Sequence, residues 1–492
     1  MISFLKKNWL LISILIIGAF LRLYKIDGYM TFLGDEGRDV IIVRNLLVNA
    51  DPILIGPGTS VGGMYLGPLY YYFMAPFLLL ANFSPVGPAV GVALLGVATI
   101  YLVYLAGFEW FSKTAGLISS ALFAISPTVI TFSHSSWNPN IMPFFALLSV
   151  YSILKTYTSR EASREVGLWL IVCAVSFAFV LQSHYLGLLL APVVFIYWFL
   201  SRVPRRYTII AILIFLFLMS PLLAFDIRHD WMNSRALYKF LTVRDETVAI
   251  TPWTALPKIY PIYEQVVGSM LTAKQELVGK LISISLLIFS AFVLSKKTFN
   301  NRKSVILILV WLVFGLIGFG LYKQSVYDHY FGFLFPVPFL LIGVFYEHIF
   351  NFKSKLIKVV SILVLVGLVL LNIKNNPFRY QPNYQMKRAQ NVTNKVLEIA
   401  EGKPFNLAVL AERNYEDGYR YFMEVEGAKV MHADRWDQKT IVDNLIVVCE
   451  KPKEKCDPTH SSKAEVANFG MSKIDSEYEV DGVIIFKLIH SK

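Results

Sequence analysis

The chain has 492 residues, of which 55% are hydrophobic, 15% aromatic and only 16% charged, a balance that excludes an ordinary soluble globular protein. Its formal net charge is +12, yet from Asn375 onward 17 basic residues are balanced by 18 acidic ones; of the totals of 46 and 34, the preceding part holds 29 and 16. A basic excess confined to the apolar part is the pattern of cytoplasmic loops under the positive-inside rule. It argues against a nucleic-acid partner, which needs a clustered basic face.

In chain order, the first apolar run, 9–24, follows Lys6 and Lys7 and is read as a retained span, because Arg22, Tyr24, Lys25 and Asp27 do not form a small-residue cleavage site. Ten more spans are predicted at 88–106, 115–132, 141–154, 166–181, 186–200, 207–225, 281–295, 304–322, 330–350 and 356–373. A further run, 69–83, is short and interrupted by Pro76. Counting it as a crossing would put the later basic loops outside, so it is expected to be an interfacial or re-entrant helix in a long first outer loop, 25–87. With that parity Lys113; Lys155, Arg160 and Arg164; Arg202, Arg205 and Arg206; Lys296, Lys297, Arg302 and Lys303; and Lys353, Lys355 and Lys358 are cytoplasmic. The outer side receives Asp35 and Glu36, the 133–140 turn, 182–185, a long loop at 226–280, 323–329, and all that follows Lys374.

The expected architecture is therefore an all-α polytopic membrane domain, 1–374, with about eleven transmembrane helices plus interfacial ones, followed by a small extracytoplasmic α/β domain, 375–492. Apolar stretches at 407–410, 445–448 and 483–486 are the candidate strands of that domain. The chain is expected to be multi-pass in the plasma (inner) membrane, in contact with its lipids, with a cytoplasmic N-terminus. Cys173 reads as a packing residue, and whether Cys449 and Cys456 pair is left open by the sequence.

Almost every unusual polar cluster falls on one face, which scattered structural polar groups would not do. Gly34-Asp35-Glu36-Gly37-Arg38-Asp39 opens an amphipathic helix; an acidic pair there either caps the helix or, in an outer loop against the membrane, serves as a general base toward an attacking hydroxyl. The 133–140 turn places His134, Trp137, Asn138 and Asn140 between apolar runs, either as helix-start chemistry or as a sugar-facing loop in which Trp stacks on a pyranose. Gln182, His184 and Tyr185 end another span, Arg228 and His229 begin the long loop, and Lys323, His329 and Tyr330 precede a later span. The last five, Arg228 to Tyr330, are candidates for a phosphate or diphosphate headgroup, the others for sugar or acceptor. No close His/Cys/Asp/Glu spacing specifies a metal, so a divalent ion is possible but not favoured, and no Walker loop or dinucleotide fingerprint points to a soluble nucleotide sugar.

Asp35-Glu36, Tyr65 to Tyr72 with Pro68, Trp137 to Asn140 with Pro143, and His329-Tyr330 ahead of Pro336 together resemble the GT-C integral membrane glycosyltransferases. The similarity is greatest to the branch of protein O-mannosyltransferases and aminoarabinose lipid A transferases, and it spans about 9–373. The resemblance implies transfer of a sugar from a polyprenyl monophosphate or diphosphate carrier to a lipid, glycan or protein acceptor on the outer face, usually with inversion. It makes Asp35 the catalytic base and Glu36 its neighbour in positioning or acceptor contact. The second outer loop here carries no carboxylate where the oligosaccharyltransferase branch has an acidic pair, which favours the metal-independent end of the group. A secondary transporter is the main rival, weakened by the lack of an internal repeat or of a charged residue deep in a convincing span; a non-enzymatic envelope scaffold leaves Asp35-Glu36 unexplained.

Overall fold

The computed structural model describes residues 2–59, 62–159, 163–242, 248 and 251–491. Arg160, the side chains of Lys6 and Lys7, and residues 243–247, 249 and 250 of the long loop lie outside the described set. The chain packs as two compact units, one made of Met1–Tyr24, Pro52–Met74 and Ala89–Gln381, the other of Lys25–Asp51, Ala75–Pro88 and Pro382–Lys492.

Among the described residues, seven helices are long and apolar enough to cross a membrane, and two bent pairs, Lys113–Ile125 with Pro127–Ser133 and Asp328–Leu334 with Pro336–Phe350, each qualify as one broken span. The shorter apolar helices Asn8–Leu23 and Tyr185–Leu200 account for the remaining two predicted spans. Leu69–Leu80 has 12 residues with Pro76 inside, about 18 Å of helix against a hydrocarbon core of roughly 30 Å, too little for a crossing. The helices Arg205–Arg228 and Lys355–Lys374 are almost wholly apolar and almost wholly unburied, as expected of faces solvated by lipid.

Proline decides where the spans break. Pro127 and Pro336 cannot donate to the preceding turn and disfavour helical backbone just before themselves, and the axes bend there by 63° and 56°. Three 3₁₀ segments, Asn138–Ile141, Tyr185–Leu190 and Asp328–Leu334, lead directly into Met142–Thr158, Ala191–Leu200 and Pro336–Phe350, each of which carries proline in its first two positions. The third 3₁₀ segment packs against both of the others. Irregular backbone at the end of a span survives only where protein covers its polar groups, and here the three cover one another.

Arg22, near the end of the first span, is fully buried, and its guanidinium donates to the carbonyls of Gly18 (3.1 Å), Ala124 (2.9 Å) and Phe123 (3.3 Å). The guanidinium is held there because the Lys113–Ile125 helix ends against it and offers unused carbonyls.

The second unit contains a five-stranded sheet of order β2-β1-β3-β5-β4, with β1 Phe405–Leu410, β2 Val430–Met431, β3 Asn444–Cys449, β4 Ser472–Val480 and β5 Val483–His490. β2, β1 and β3 are parallel and β5 is antiparallel to β3 and β4, so all three apolar stretches expected as strands lie in the sheet. β1 and β3 are near-continuous apolar runs because helices cover them, the Asp417–Val425 helix forming part of the β1 to β2 crossover. The β4–β5 turn is Asp481-Gly482, both with positive φ (50° and 74°), the two-residue hairpin that this dipeptide favours. Cys449 and Cys456 form a disulfide beside this core.

The boundary expected between 374 and 375 is not where packing divides the chain, since residues 25–51 fold with the sheet unit. The reason is close backbone approach: a Cβ on Gly37 would lie 2.4 Å from the main chain of Asp417 and Gly418.

Candidate active site

The acidic motif opens the Gly34–Asn49 helix of the sheet unit, and its two neighbouring carboxylates face different surroundings. Glu36 is buried and its Oε2 accepts from the Leu33 amide at 3.0 Å, satisfying a helix-start donor. Burial pushes its carboxyl up to about 7, the backbone hydrogen bond opposing the shift. Asp35 keeps a 44% exposed side chain, and only its Oδ1 is engaged, by Arg38 Nη1 at 2.9 Å and by the Tyr415 hydroxyl. Its Oδ2 accepts no hydrogen bond from any described residue. Arg38 also grips the fully buried Asp39 through Nε (3.0 Å) and Nη2 (2.7 Å), so one guanidinium bridges two carboxylates.

Tyr415 belongs to the loop between β1 and the Asp417–Val425 helix, and nothing local in the sequence marks it. The Asn414 side chain seats this loop on the motif: its Oδ1 accepts from the Gly34 amide at 2.8 Å and its Nδ2 donates to Glu450, which also accepts from the Tyr419 hydroxyl at 2.6 Å. Burial, then the hydrogen bond to Asp35, raise the Tyr415 phenol above its ordinary value, so it remains a donor at all working pH. Burial likewise raises the Asp417 carboxyl.

In the helical unit the three 3₁₀ segments bring aromatic and imidazole rings from distant sequence together. Trp137 lies 4.6 Å from His329 between ring centroids, His184 is 5.3 Å from Tyr330 and 6.4 Å from His329, and Tyr185 stacks on His184 at 4.6 Å. Tyr327 stacks on His329 at 5.8 Å, adding a ring that the sequence placed beside the site without a role.

Other candidates are committed to the scaffold. Asn138 donates to Ser183 O at 2.6 Å, Asn140 to Ser135 O at 2.8 Å, and Gln182 to Leu218 O at 2.8 Å while accepting from Leu69 N at 3.2 Å. His134 is buried with Nε2 3.1 Å from Leu21 O, and burial lowers its imidazole to about 4. Arg228, His229 and Lys323 are exposed; His229 stacks on Phe225 at 4.0 Å rather than joining the His184–His329 group. Among the described residues no three His, Cys, Asp or Glu side chains converge as a metal-binding set.

Residues 52–237 match the family model described as dolichyl-phosphate-mannose-protein mannosyltransferase. The fold is similar to that of ArnT from Cupriavidus metallidurans bound to undecaprenyl phosphate, with TM-score 0.63 and 11% identity over 98% of each chain. It is also similar to the oligosaccharyltransferase AglB from Archaeoglobus fulgidus in complex with an inhibitory peptide and a dolichol-phosphate, with TM-score 0.57 and 12% identity over 90% of this chain and 70% of that one. No curated protein matches the sequence significantly. The family match thus covers part of the helical region, and over nearly its whole length the chain is similar in fold to ArnT.

Proposed function

We propose that the protein transfers a sugar from a polyprenyl-phosphate-linked donor to a lipid, glycan or protein acceptor, with inversion at the anomeric carbon and Asp35 as general base. The reaction is placed on the extracytoplasmic face of the plasma (inner) membrane, with the N-terminus cytoplasmic and the sheet domain outside, because this parity keeps the basic short loops inside. A polyprenyl-linked donor is supported by the undecaprenyl phosphate and dolichol-phosphate held by the similarly folded ArnT and AglB.

The observation that carries the reading is the asymmetry of the Asp35 carboxylate, one oxygen anchored and the other open on a half-exposed side chain. In the reaction the acceptor oxygen attacks the anomeric carbon, the bond from that carbon to the phosphate oxygen breaks with its electron pair leaving on the phosphate, and the acceptor proton passes to Oδ2. Arg38 and Tyr415 fix the carboxylate without occupying the basic oxygen, which is the division of labour a positioned base requires. For the leaving phosphate we assign Arg228, His229, Lys323, His329 and Tyr330, whose cationic and neutral donors suit phosphate oxygens. Trp137, His184 and Tyr185 supply stacking surface for a sugar, while His134, Asn138, Asn140 and Gln182 act by holding the turns that present those rings.

The test is transfer from a panel of radiolabelled polyprenyl-phosphate sugars in membranes carrying the wild-type chain or Asp35→Asn. Removal of a general base lowers transfer by roughly 10²- to 10⁴-fold. Equal transfer by both chains removes Asp35 from the role, and uptake of free solute without transfer favours a transporter.

A further inference from the structure

The ends of the Val86–Trp110 and Met142–Thr158 helices, together with residues 297–304 between Glu276–Ser295 and Arg302–Leu321, enclose a cavity of about 820 Å³ in the helical unit. Four cations line it, Lys155, Lys297, Arg302 and Lys303, against one carboxylate, Glu109. Glu109 is already neutralised, with Lys155 Nζ at 2.6 Å and the Tyr151 hydroxyl at 2.7 Å. Lys297, Arg302 and Lys303 make no ion pair with any described carboxylate. Arg302 is held by a single bond from Nη2 to Leu294 O at 3.1 Å, and its Nε is buried without a hydrogen-bond partner.

The positive-inside rule accounts for cations in these loops one at a time. It does not account for cations from two separate loops lining one cavity. We propose that this cavity binds the phosphate of an anionic lipid headgroup. A lipid, rather than a soluble anion, is favoured because the cavity lies at the ends of membrane-spanning helices and its lining includes Trp110, Leu154 and Phe299, which suit the apolar root of a lipid. The Arg302–Leu321 helix starts inside the lining and adds the positive end of its dipole. No residue is shared with the Asp35 motif or with the groups assigned to the donor, so the proposal stands apart from the transfer reading.

The test uses the full-length chain in detergent, examined by native mass spectrometry with phosphatidylglycerol, diphosphatidylglycerol, phosphatidylcholine or inorganic pyrophosphate. The anionic lipids are expected to stay bound and phosphatidylcholine to be lost. Lys297→Gln/Lys303→Gln, two exposed positions, is expected to lower retention by roughly tenfold or more. An Arg202→Gln/Arg205→Gln/Arg206→Gln control, outside the cavity, is expected to retain lipid as the wild type does. Should the double variant not fold, judged by its elution and unfolding midpoint, Lys303→Gln alone decides. Equal retention by the cavity variant and the wild type, or equal loss in the control, overturns the proposal. Pyrophosphate binding without lipid retention overturns the assignment to a lipid.

Discussion

Asp35 and Glu36 are adjacent carboxylates of nearly the same intrinsic acidity, and only their surroundings separate an open-faced carboxylate from a cap. Glu36 titrates at about 7 when folded, against 4.5 in a solvated chain, because burial disfavours its charge. The folded state therefore holds the proton more tightly: this contribution to stability is fully present below pH 4.5 and is lost as pH rises through about 7, on the order of 3 kcal/mol in all. Glu36→Gln keeps an oxygen for the Leu33 amide and removes the titration, so its unfolding midpoint should fall less than that of the wild type between pH 5 and pH 8. Parallel melting curves of the two chains check this. Tyr415→Phe removes a hydrogen bond to the open-faced carboxylate while leaving Arg38 in place. Since such a bond to a charged group is worth about 1.5–3 kcal/mol, kcat should fall roughly tenfold to a hundredfold with little change in donor KM. An unaltered kcat would make Tyr415 part of the scaffold only.

The Gly34–Asn49 helix shows how an element delivers such residues. Its first turn lies against the 411–416 loop and the start of the Asp417–Val425 helix, and two glycines make the approach possible. A Cβ at Gly37 meets main-chain atoms at 2.4 Å, whereas at Gly34 it meets the Tyr415 ring at 2.5 Å. Backbone cannot yield as a ring can, so Gly37→Ala should lower stability by about 1–3 kcal/mol, read as a lower unfolding midpoint and faster proteolysis. Gly34→Ala should lose less stability but more transfer, because the ring that must move carries the hydroxyl on Asp35. The Cys449–Cys456 bridge closes a short loop after β3, with a sequence separation of 7. Loop-closure entropy for that length puts its stabilising contribution at about 2 kcal/mol, so Cys449→Ser/Cys456→Ser should lower the unfolding midpoint without altering the Asp35 hydrogen bonds.

At the scale of the whole molecule, the proposed orientation makes Trp436→Cys, at an exposed site in the sheet unit, reactive to a membrane-impermeant maleimide in intact cells, whereas Arg202→Cys labels only after permeabilisation. Labelling in the reverse pattern would invert the topology. The apolar runs that became helices and the three strand-forming runs were legible in the sequence because hydropathy and β-branched runs act locally, whereas the breaks at Pro127 and Pro336 inside runs read as whole spans appeared only in the structure. The rings at Trp137, His184 and His329 could be named individually but not grouped, since their contacts join 3₁₀ segments far apart in the chain. Tyr415 and the seat that Asn414 provides carried no local signal at all, being chosen by a fit that exists only once residues 25–51 have packed with the sheet unit. Sequence alone thus determined which segments are apolar enough to enter the membrane and that a carboxylate pair stands in the loop after the first of them, because solvation depends on residues singly. Tertiary structure alone decided that Glu36 turns inward, that Asp35 keeps one oxygen free, and that Arg22 is buried, because burial and hydrogen bonding depend on what the folded chain brings alongside.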